Sequence, residues 1–216
     1  MIEVLVLLFI IVLLSGYLLG SINTSIIVSR FYGVDIRSMG SGNAGATNTL
    51  RTLGKSAAIF VLAGDSLKGI ISCLIGAYAL SRIDPSYYSY GAMISGLGAV
   101  IGHNWPLYFS FRGGKGVLTS AAVLFLVDWK AGIIALVLFI IIVAITKYVS
   151  LGSILAALSF PLYCILNKEN NIYKIFFSLI ISGLVVYRHR ANIDRLIKGT
   201  ESKLGSKNKN ERNELN

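Results

Sequence analysis

At 216 residues the chain has the length of one or two soluble domains, but 55% hydrophobic residues, 14% charged residues and a mean hydropathy of +0.71 exclude a water-soluble globule. The net charge of +10 does not point to nucleic acid, because the basic residues fall between long apolar runs instead of interleaving with polar and aromatic side chains along a stripe. The two cysteines, Cys73 and Cys164, each lie inside an apolar run, where a free thiol behaves as a small hydrophobe and implies neither a disulfide nor a metal site.

About 20 apolar residues cross a bilayer, and the runs 3–22, 56–80, 88–109, 148–166 and 171–187 are read as spans. The first resembles a signal peptide, but its start carries Glu3 and no basic residue, and it is read as a retained span. The run 117–146 is interrupted by Asp128, Trp129 and Lys130, and is either one over-long helix or two helices joined by a tight turn. The positive-inside rule separates the two. Two helices give seven spans, with fifteen Lys and Arg on one side against Arg82, Lys130, Lys168 and Lys174 on the other and only Lys68 immersed. One helix gives eight against ten, no bias, and immerses Lys130 as well at about 2.5–3.5 kcal/mol for a mid-bilayer lysine. The expectation is an all-α integral membrane protein of seven transmembrane helices, N-terminus outside and C-terminus cytoplasmic. Residues 1–203 form a single transmembrane catalytic domain and 204–216 a disordered cytoplasmic tail. No internal repeat pairs two halves as in many transporters.

Under this topology the polar punctuation gathers on the cytoplasmic side in three places. In residues 33–55, Gly40, Gly42 and Gly45 alternate with Ser41, Asn43, Thr47 and Asn48 and are closed by Arg51. Such a loop either turns consecutive N–H groups inward as an anion nest with a guanidinium fork beside it, or is a flexible linker. In residues 102–116, Arg112, Gly113, Gly114, Lys115 and Gly116 immediately precede a helix, so free N–H groups, a positive dipole end and two cations converge; the alternative is a plain topogenic anchor. It is not a Walker A loop, since Lys115 is followed by Gly116. His103 closes the preceding span as a packing residue or a base. In residues 187–203, His189, Asn192 and Arg195 recur every third position and share a helical face, which reads either as a stripe of donors or as a juxtamembrane helix drawn to anionic lipid. Asp65 and Lys68, three apart in the second span, are a neutralising structural clamp or a direct ligand pair.

The strings GSINTS (20–25), GSGNAGATNTLR (40–51), DSLKG (65–69), GHNWPLYFSFRGGKGVLT (102–119) and RHRANIDRL (188–196), with Glu201 downstream, resemble in order the bacterial membrane family of acyl-phosphate:glycerol-3-phosphate acyltransferases. Asn23 stands where a proline is common in that family. The resemblance implies transfer of a fatty acyl group from acyl phosphate to the 1-hydroxyl of sn-glycerol 3-phosphate, giving lysophosphatidic acid and phosphate in the inner membrane, without cofactor or metal. Membrane lipid and the soluble enzyme that makes acyl phosphate are the implied partners. It further implies that Ser41 and Arg51 are important for catalysis, that residues 113–116 form a glycerol-phosphate loop, that His189 and Asn192 act in the site and that Glu201 is structural. Taken with the chemistry of the loops, the expected catalytic set is Ser41, Asn43, Arg51, Lys115, His189 and Asn192. The expected substrate contacts are Gly40, Gly42, Thr47, Asn48, Lys68, His103, Arg112, Gly113, Gly114 and Gly116, with Asp65 and Glu201 structural. N–H groups near Gly42 and Asn43, with Ser41, are expected to meet the developing oxyanion. For the base, His189, His103 and a substrate phosphate are the candidates. Two rivals are an acyl-CoA-dependent acyltransferase, from the spacing of His189 and Asp194, and a phosphate-ester transporter. The first is opposed by the few residues after Asp194, the second by the one-sided polar clusters.

Overall fold

The computed structural model describes residues 2–205; most of the expected tail, 206–216, lies outside the described residues. The chain is all helical: α1 (Ile2–Gly20), α2 (Thr24–Phe31), α3 (Ala46–Ser81), α4 (Tyr88–Asn104), α5 (Val117–Val127), α6 (Trp129–Thr146), α7 (Val149–Leu166), α8 (Ile172–Arg188) and α9 (Arg190–Ile197).

Local chemistry accounts for the breaks. The interrupted run resolves into α5 and α6, because the Asp128 carboxylate caps α6 by accepting from the N–H groups of Lys130 and Ala131 at 3.1 and 3.0 Å. Asn171 caps α8 in the same way. Asn23 caps α2 through the Ile26 N–H at 3.1 Å, a bond for which a proline at that position has no side-chain acceptor. The fourth helix stops at Asn104, short of the 109 expected, since Pro106 disfavours helical backbone at the residue before it. The polar segment 33–55 is not wholly a loop. Helix α3 begins at Ala46 and turns sharply at Gly54, whose φ of 87° is open to glycine. Residues 46–53 therefore form a short helical arm hinged on the span.

Among the described residues α1, with its continuation into α2, α3, α6 and α7 are long and apolar enough to cross a membrane. The bent pair α8 and α9 forms a fifth candidate, while α5 is a short apolar helix. The helices approach closely through small residues. Gly16 and Gly20 on α1 lie against the backbone of Ser95 and Ala99 on α4, and Gly98 and Gly102 of α4 lie against that of α1. This small-residue packing replaces the hydrophobic drive that lipid removes. Outward faces are apolar and unburied, as along α6, where Ala131 and Gly132 are buried and Ile134, Val137 and Ile141 are exposed. At one end of the bundle Lys174 bridges Asp128 and Glu169 at 2.5 and 2.7 Å, tying the α5–α6 turn to the α7–α8 connection. The other end holds the polar site.

Candidate active site

A cavity of about 940 Å³ opens where the N-terminal arm of α3, the start of α5, the α8–α9 bend and the α6–α7 connection converge. Its polar wall includes Gly40, Ser41, Asn43, Thr47, Asn48, Arg51, Lys115, Gly116, His189 and Asn192, with Asp65, His103, Lys55, Arg195 and Glu201. Its apolar wing is made by Leu50, Ile59, Leu62, Leu118, Phe139, Val143, Val149 and Leu204. The three segments singled out by composition thus meet in one chamber.

Two helices point their N-termini into it. Gly45 stands at the N-cap of α3 and Gly116 at that of α5, and neither residue offers a side-chain cap. The first-turn N–H groups at Ala46 and Thr47, and at Val117 and Leu118, are left without a side-chain cap beside the cavity. Arg51 lines the wall one turn beyond Thr47 and has no ion pair among the described residues. The expected concave nest is corrected. The Ser41 N–H donates to Asn48 Oδ1 at 2.9 Å, and the Gly42 N–H donates to the Met39 carbonyl at 2.9 Å. Those donors fold the loop upon itself, with Gly40 and Gly42 at φ 57° and 69°, and the Gly42 N–H is not free for an oxyanion. Anion capacity lies at the helix start instead.

The second and third segments interlock. Lys115 Nζ donates to Asn192 Oδ1 at 2.5 Å, and Asn192 Nδ2 donates to Glu201 Oε1 at 2.6 Å. Glu201 also accepts from Ser150 Oγ and Arg195 Nε, each at 2.7 Å. Burial pushes Lys115 down to about 8; Glu201 opposes that shift, and Arg195, Arg188 and Arg51 add to it. Glu201 is driven up by burial but lies below the usual carboxylate range, because hydrogen bonds from Asn192, Ser150 and Arg195 outweigh it. His189 is 2% exposed and its Nδ1 donates to the Val185 carbonyl at 2.8 Å, so its Nε2 carries a lone pair.

Several expected contacts are not on the wall. Lys68 directs its ammonium to the Ile22 carbonyl and His103 Nδ1 at 3.0 and 2.9 Å and forms an ion pair with Asp65 Oδ1 at 2.9 Å, so its charge is met inside the bundle. The clamp reading of the Asp65–Lys68 pair describes this geometry, and a direct ligand role for Lys68 does not. Gly113 and Gly114 lie behind the wall, their carbonyls accepting from the Arg188 guanidinium at 2.7–3.2 Å. Arg112 is exposed outside the cavity. Leu204, assigned to the tail by the sequence, donates its N–H to the Lys147 carbonyl at 2.8 Å and lines the cavity. Ser150 and Arg188 were missed. Ser150 is one of three serines in α7 and nothing in the sequence sets it apart from Ser153 and Ser159, while Arg188 reads as one more juxtamembrane cation. The clue for Arg188 was Trp105, over whose ring its guanidinium stacks at 5.2 Å.

Comparison with known proteins converges on one family. The family model described as glycerol-3-phosphate acyltransferase matches residues 10–199. A glycerol-3-phosphate acyltransferase of Thermoanaerobacter sp. (strain X514) is 48% identical over 195 residues, covering 89% of this chain and 93% of the relative. One from Clostridioides difficile (strain 630) is 48% identical over 202 residues, covering 92% and 97%. Among solved structures, the crystal structure of PlsY, an integral membrane glycerol 3-phosphate acyltransferase, in its glycerol 3-phosphate form, is similar at a TM-score of 0.81 and 36% identity, covering 91% of this chain and 96% of that one. Its lysophosphatidic acid form is similar at 0.78. With a polar chamber joined to an apolar wing, and relatives matched over nearly their whole length, this chain belongs to the glycerol-3-phosphate acyltransferase family.

Proposed function

We propose that the chain transfers a fatty acyl group from acyl phosphate to the 1-hydroxyl of glycerol 3-phosphate, yielding lysophosphatidic acid and inorganic phosphate. The observation that carries this is one chamber with two uncapped helix N-termini, Arg51, Lys55 and Lys115 beside them, and an apolar wing. Two anions and one alkyl chain are what the reaction must hold. Family membership and the ligands named for the PlsY structures support it.

The hydroxyl oxygen attacks the acyl carbonyl carbon, a new C–O ester bond forms, and the bond from that carbon to the phosphate oxygen breaks with its electron pair leaving on phosphate. An acyl phosphate is already an activated anhydride, so no acyl-enzyme is required, and both cysteines are buried away from the chamber wall. Lys115, Arg51 and the start of α5 neutralise the two phosphates, and holding the reactants together supplies most of the acceleration. Ser41, Asn43 and Thr47 line the same wall as positioning donors, while the Asn48 side chain is spent holding the loop to the Ser41 N–H and the Ile36 and Met39 carbonyls. His103 is not the base, because the Lys68 ammonium occupies its Nδ1 lone pair and its Nε2 then carries the proton. His189 Nε2 can accept a hydrogen bond from the substrate hydroxyl, while the proton passes to a substrate phosphate oxygen, whose second pKa of about 6 suits the task. His189→Asn should therefore lower kcat about tenfold yet preserve the ascending limb of the wild-type pH profile. An erased limb would make the histidine itself the base.

The architecture proposed is a single catalytic domain of seven transmembrane helices, α1, α3, α4, α5, α6, α7 and α8, in the bacterial inner membrane. The N-terminus is outside, the chamber opens to the cytoplasm, and the C-terminal tail after residue 205 lies on that side. The distribution of basic residues supports it, and burial of α5 against α3 and α4 makes an eleven-residue span workable. Ser38→Cys should react with an impermeant maleimide from the cytoplasmic face, and Ser86→Cys only from outside. Labelling of both from one face sinks the topology. The soluble enzyme that makes acyl phosphate is the proposed partner at the cytoplasmic face. The direct test is phosphate release by purified protein given palmitoyl phosphate and glycerol 3-phosphate, with palmitoyl-CoA as the competing donor. Release that requires both substrates supports the reading, and activity with the CoA ester alone overturns it.

A further inference from the structure

Three ionisable side chains sit together beneath the chamber floor, where the reaction as described gives them no role. Asp65 and Lys68 on α3 are 1% and 7% exposed, and His103 on α4 is 3% exposed. Lys68 Nζ lies 2.9 Å from Asp65 Oδ1 and 2.9 Å from His103 Nδ1, and Asp65 Oδ1 is 3.6 Å from the same ring nitrogen. The Lys68 ammonium also reaches the Ile22 carbonyl at the α1–α2 break. Backbone bonds continue the group outward: Thr119 Oγ1 of α5 donates to the Asp65 carbonyl, and the Gly114 N–H donates to the His103 carbonyl. Burying a carboxylate and an ammonium in a membrane bundle costs several kcal/mol per ion before pairing recovers it. A clamp between α3 and α4 could be made from apolar side chains at lower cost.

What the charges achieve is a fixed imidazole. Beside a charged Lys68, which can only donate and lies at 2.9 Å against 3.6 Å for Asp65 Oδ1, Nδ1 of His103 accepts and the ring proton sits on Nε2. That nitrogen has no hydrogen-bond partner among the described residues, although the side chain is almost wholly buried. The ring lines the chamber, and its Nε2 lies on the side of Gly114 and the Ala44 carbonyl, where the first and second polar segments meet. Room for it depends on Gly114, since a Cβ there would collide with His103 Nε2. The second histidine is held in the opposite tautomer, its Nδ1 donating to Val185 and its Nε2 left as acceptor.

We propose that the buried Asp65–Lys68 pair sets the Nε2–H tautomer of His103 so that this N–H donates to a phosphoryl oxygen of a substrate, the third contact of an anion site shared with Lys115 and the first turn of α5. The assignment rests on the acyl-transfer reading for the identity of the phosphoryl group. The tautomer itself does not depend on that reading. Lys68 and Asp65 are positioning residues, acting through the ring, and only His103 touches substrate.

The sequence holds two histidines, which makes the tautomers directly readable. Full-length protein purified through a histidine-free tag, with ¹⁵N-labelled imidazole rings and reconstituted in lipid, should give one Nε2–H ring and one Nδ1–H ring. His189→Asn should remove only the second set. An Nδ1–H or doubly protonated His103 overturns the proposal whatever the activity of the preparation. Kinetics give the second arm. His103→Gln extends an amide N–H toward the Nε2 position, whereas His103→Asn places its amide near Nδ1 and falls short of the chamber. The Asn variant should raise the KM of at least one substrate about tenfold with kcat within threefold of wild type, and the Gln variant should stay within threefold in both. A rise confined to glycerol 3-phosphate assigns the contact to that phosphate, and one confined to palmitoyl phosphate assigns it to the donor. Unchanged KM values in the Asn variant, or equal impairment in both variants, overturns the contact. Loss of phosphate release by the wild-type protein would instead defeat the acyl-transfer reading and leave the tautomer result standing.

Discussion

Replacing Lys115 with alanine is expected to lower kcat/KM about a hundredfold. Its side chain lines the chamber two residues before α5, and charge-assisted hydrogen bonds to phosphate are worth about 1.5–3 kcal/mol each, of which an ammonium bridging two substrates makes up to two. The substitution also leaves Asn192 Oδ1 without its 2.5 Å donor, loosening the side chain that α9 presents to the chamber. The pH dependence follows from the same residue. With its pKa held down to about 8 by burial, and by Arg195, Arg188 and Arg51 against the pull of Glu201, the cationic form is lost in the free enzyme as pH rises through 8. The wild-type kcat/KM should fall on that alkaline limb, and Lys115→Arg, charged throughout the range, should flatten it while lowering the plateau, since a guanidinium fork does not reproduce an ammonium's geometry. Lys130→Ala is the control. Lys130 sits over the Trp129 ring at 5.8 Å at the far end of the bundle, and its removal should change kcat/KM by less than twofold. Steady-state rates of the three variants decide the matter, and equal rates in Lys115→Ala and Lys130→Ala would misplace the anion site.

Glu201→Ala is expected to cost about 3 kcal/mol of stability and nearly all activity. Its side chain is 8% exposed and accepts from Ser150 of α7 and from Asn192 and Arg195 of α9. Removal strands three donors, one of them a cation, at a polar seam between two helices. For a chain of this size that corresponds to a melting shift of about 6–12 °C. The released α9 carries Asn192 away from Lys115, so limited proteolysis should cut the 190–205 region faster in the variant. Linkage gives the direction with acid. The native pKa lies below the ordinary carboxylate value, so the contribution of Glu201 is complete above about pH 4.5 and is lost as pH falls through the native value. Thermal stability of the wild type should therefore drop in acid more steeply than that of Glu201→Gln. A Glu201→Ala protein with unchanged melting and unchanged proteolysis would show that α9 is held by something else.

The sequence by itself determined the helical membrane class and most element boundaries, because bilayer thickness and backbone hydrogen bonding leave a greasy run of 17–20 residues few alternatives. It also determined the division at Asp128, since one unbroken helix leaves the basic residues without a sided bias and immerses Lys130, and the Asp128 carboxylate is found capping α6. The polar segments were legible as chemistry because glycines, amides and cations have no structural reason to cluster in an apolar chain. Tertiary structure decided what no local pattern encodes. It turned the Ser41 and Gly42 donors inward and left the starts of α3 and α5 open, since a loop's donors are claimed by whichever acceptor folds nearest, here Asn48 and Met39. It took Lys68 out of the site and gave it His103, two residues 35 positions apart whose meeting depends on α3 packing beside α4. It recruited Ser150 and Arg188, one of them one of three serines in its span and the other an ordinary flanking cation, by bringing Glu201 and the Gly113–Gly114 carbonyls within hydrogen-bond reach. Which polar group pairs with which is a question of distance across the bundle, and distances between helices are fixed by small-residue packing that hydropathy does not record.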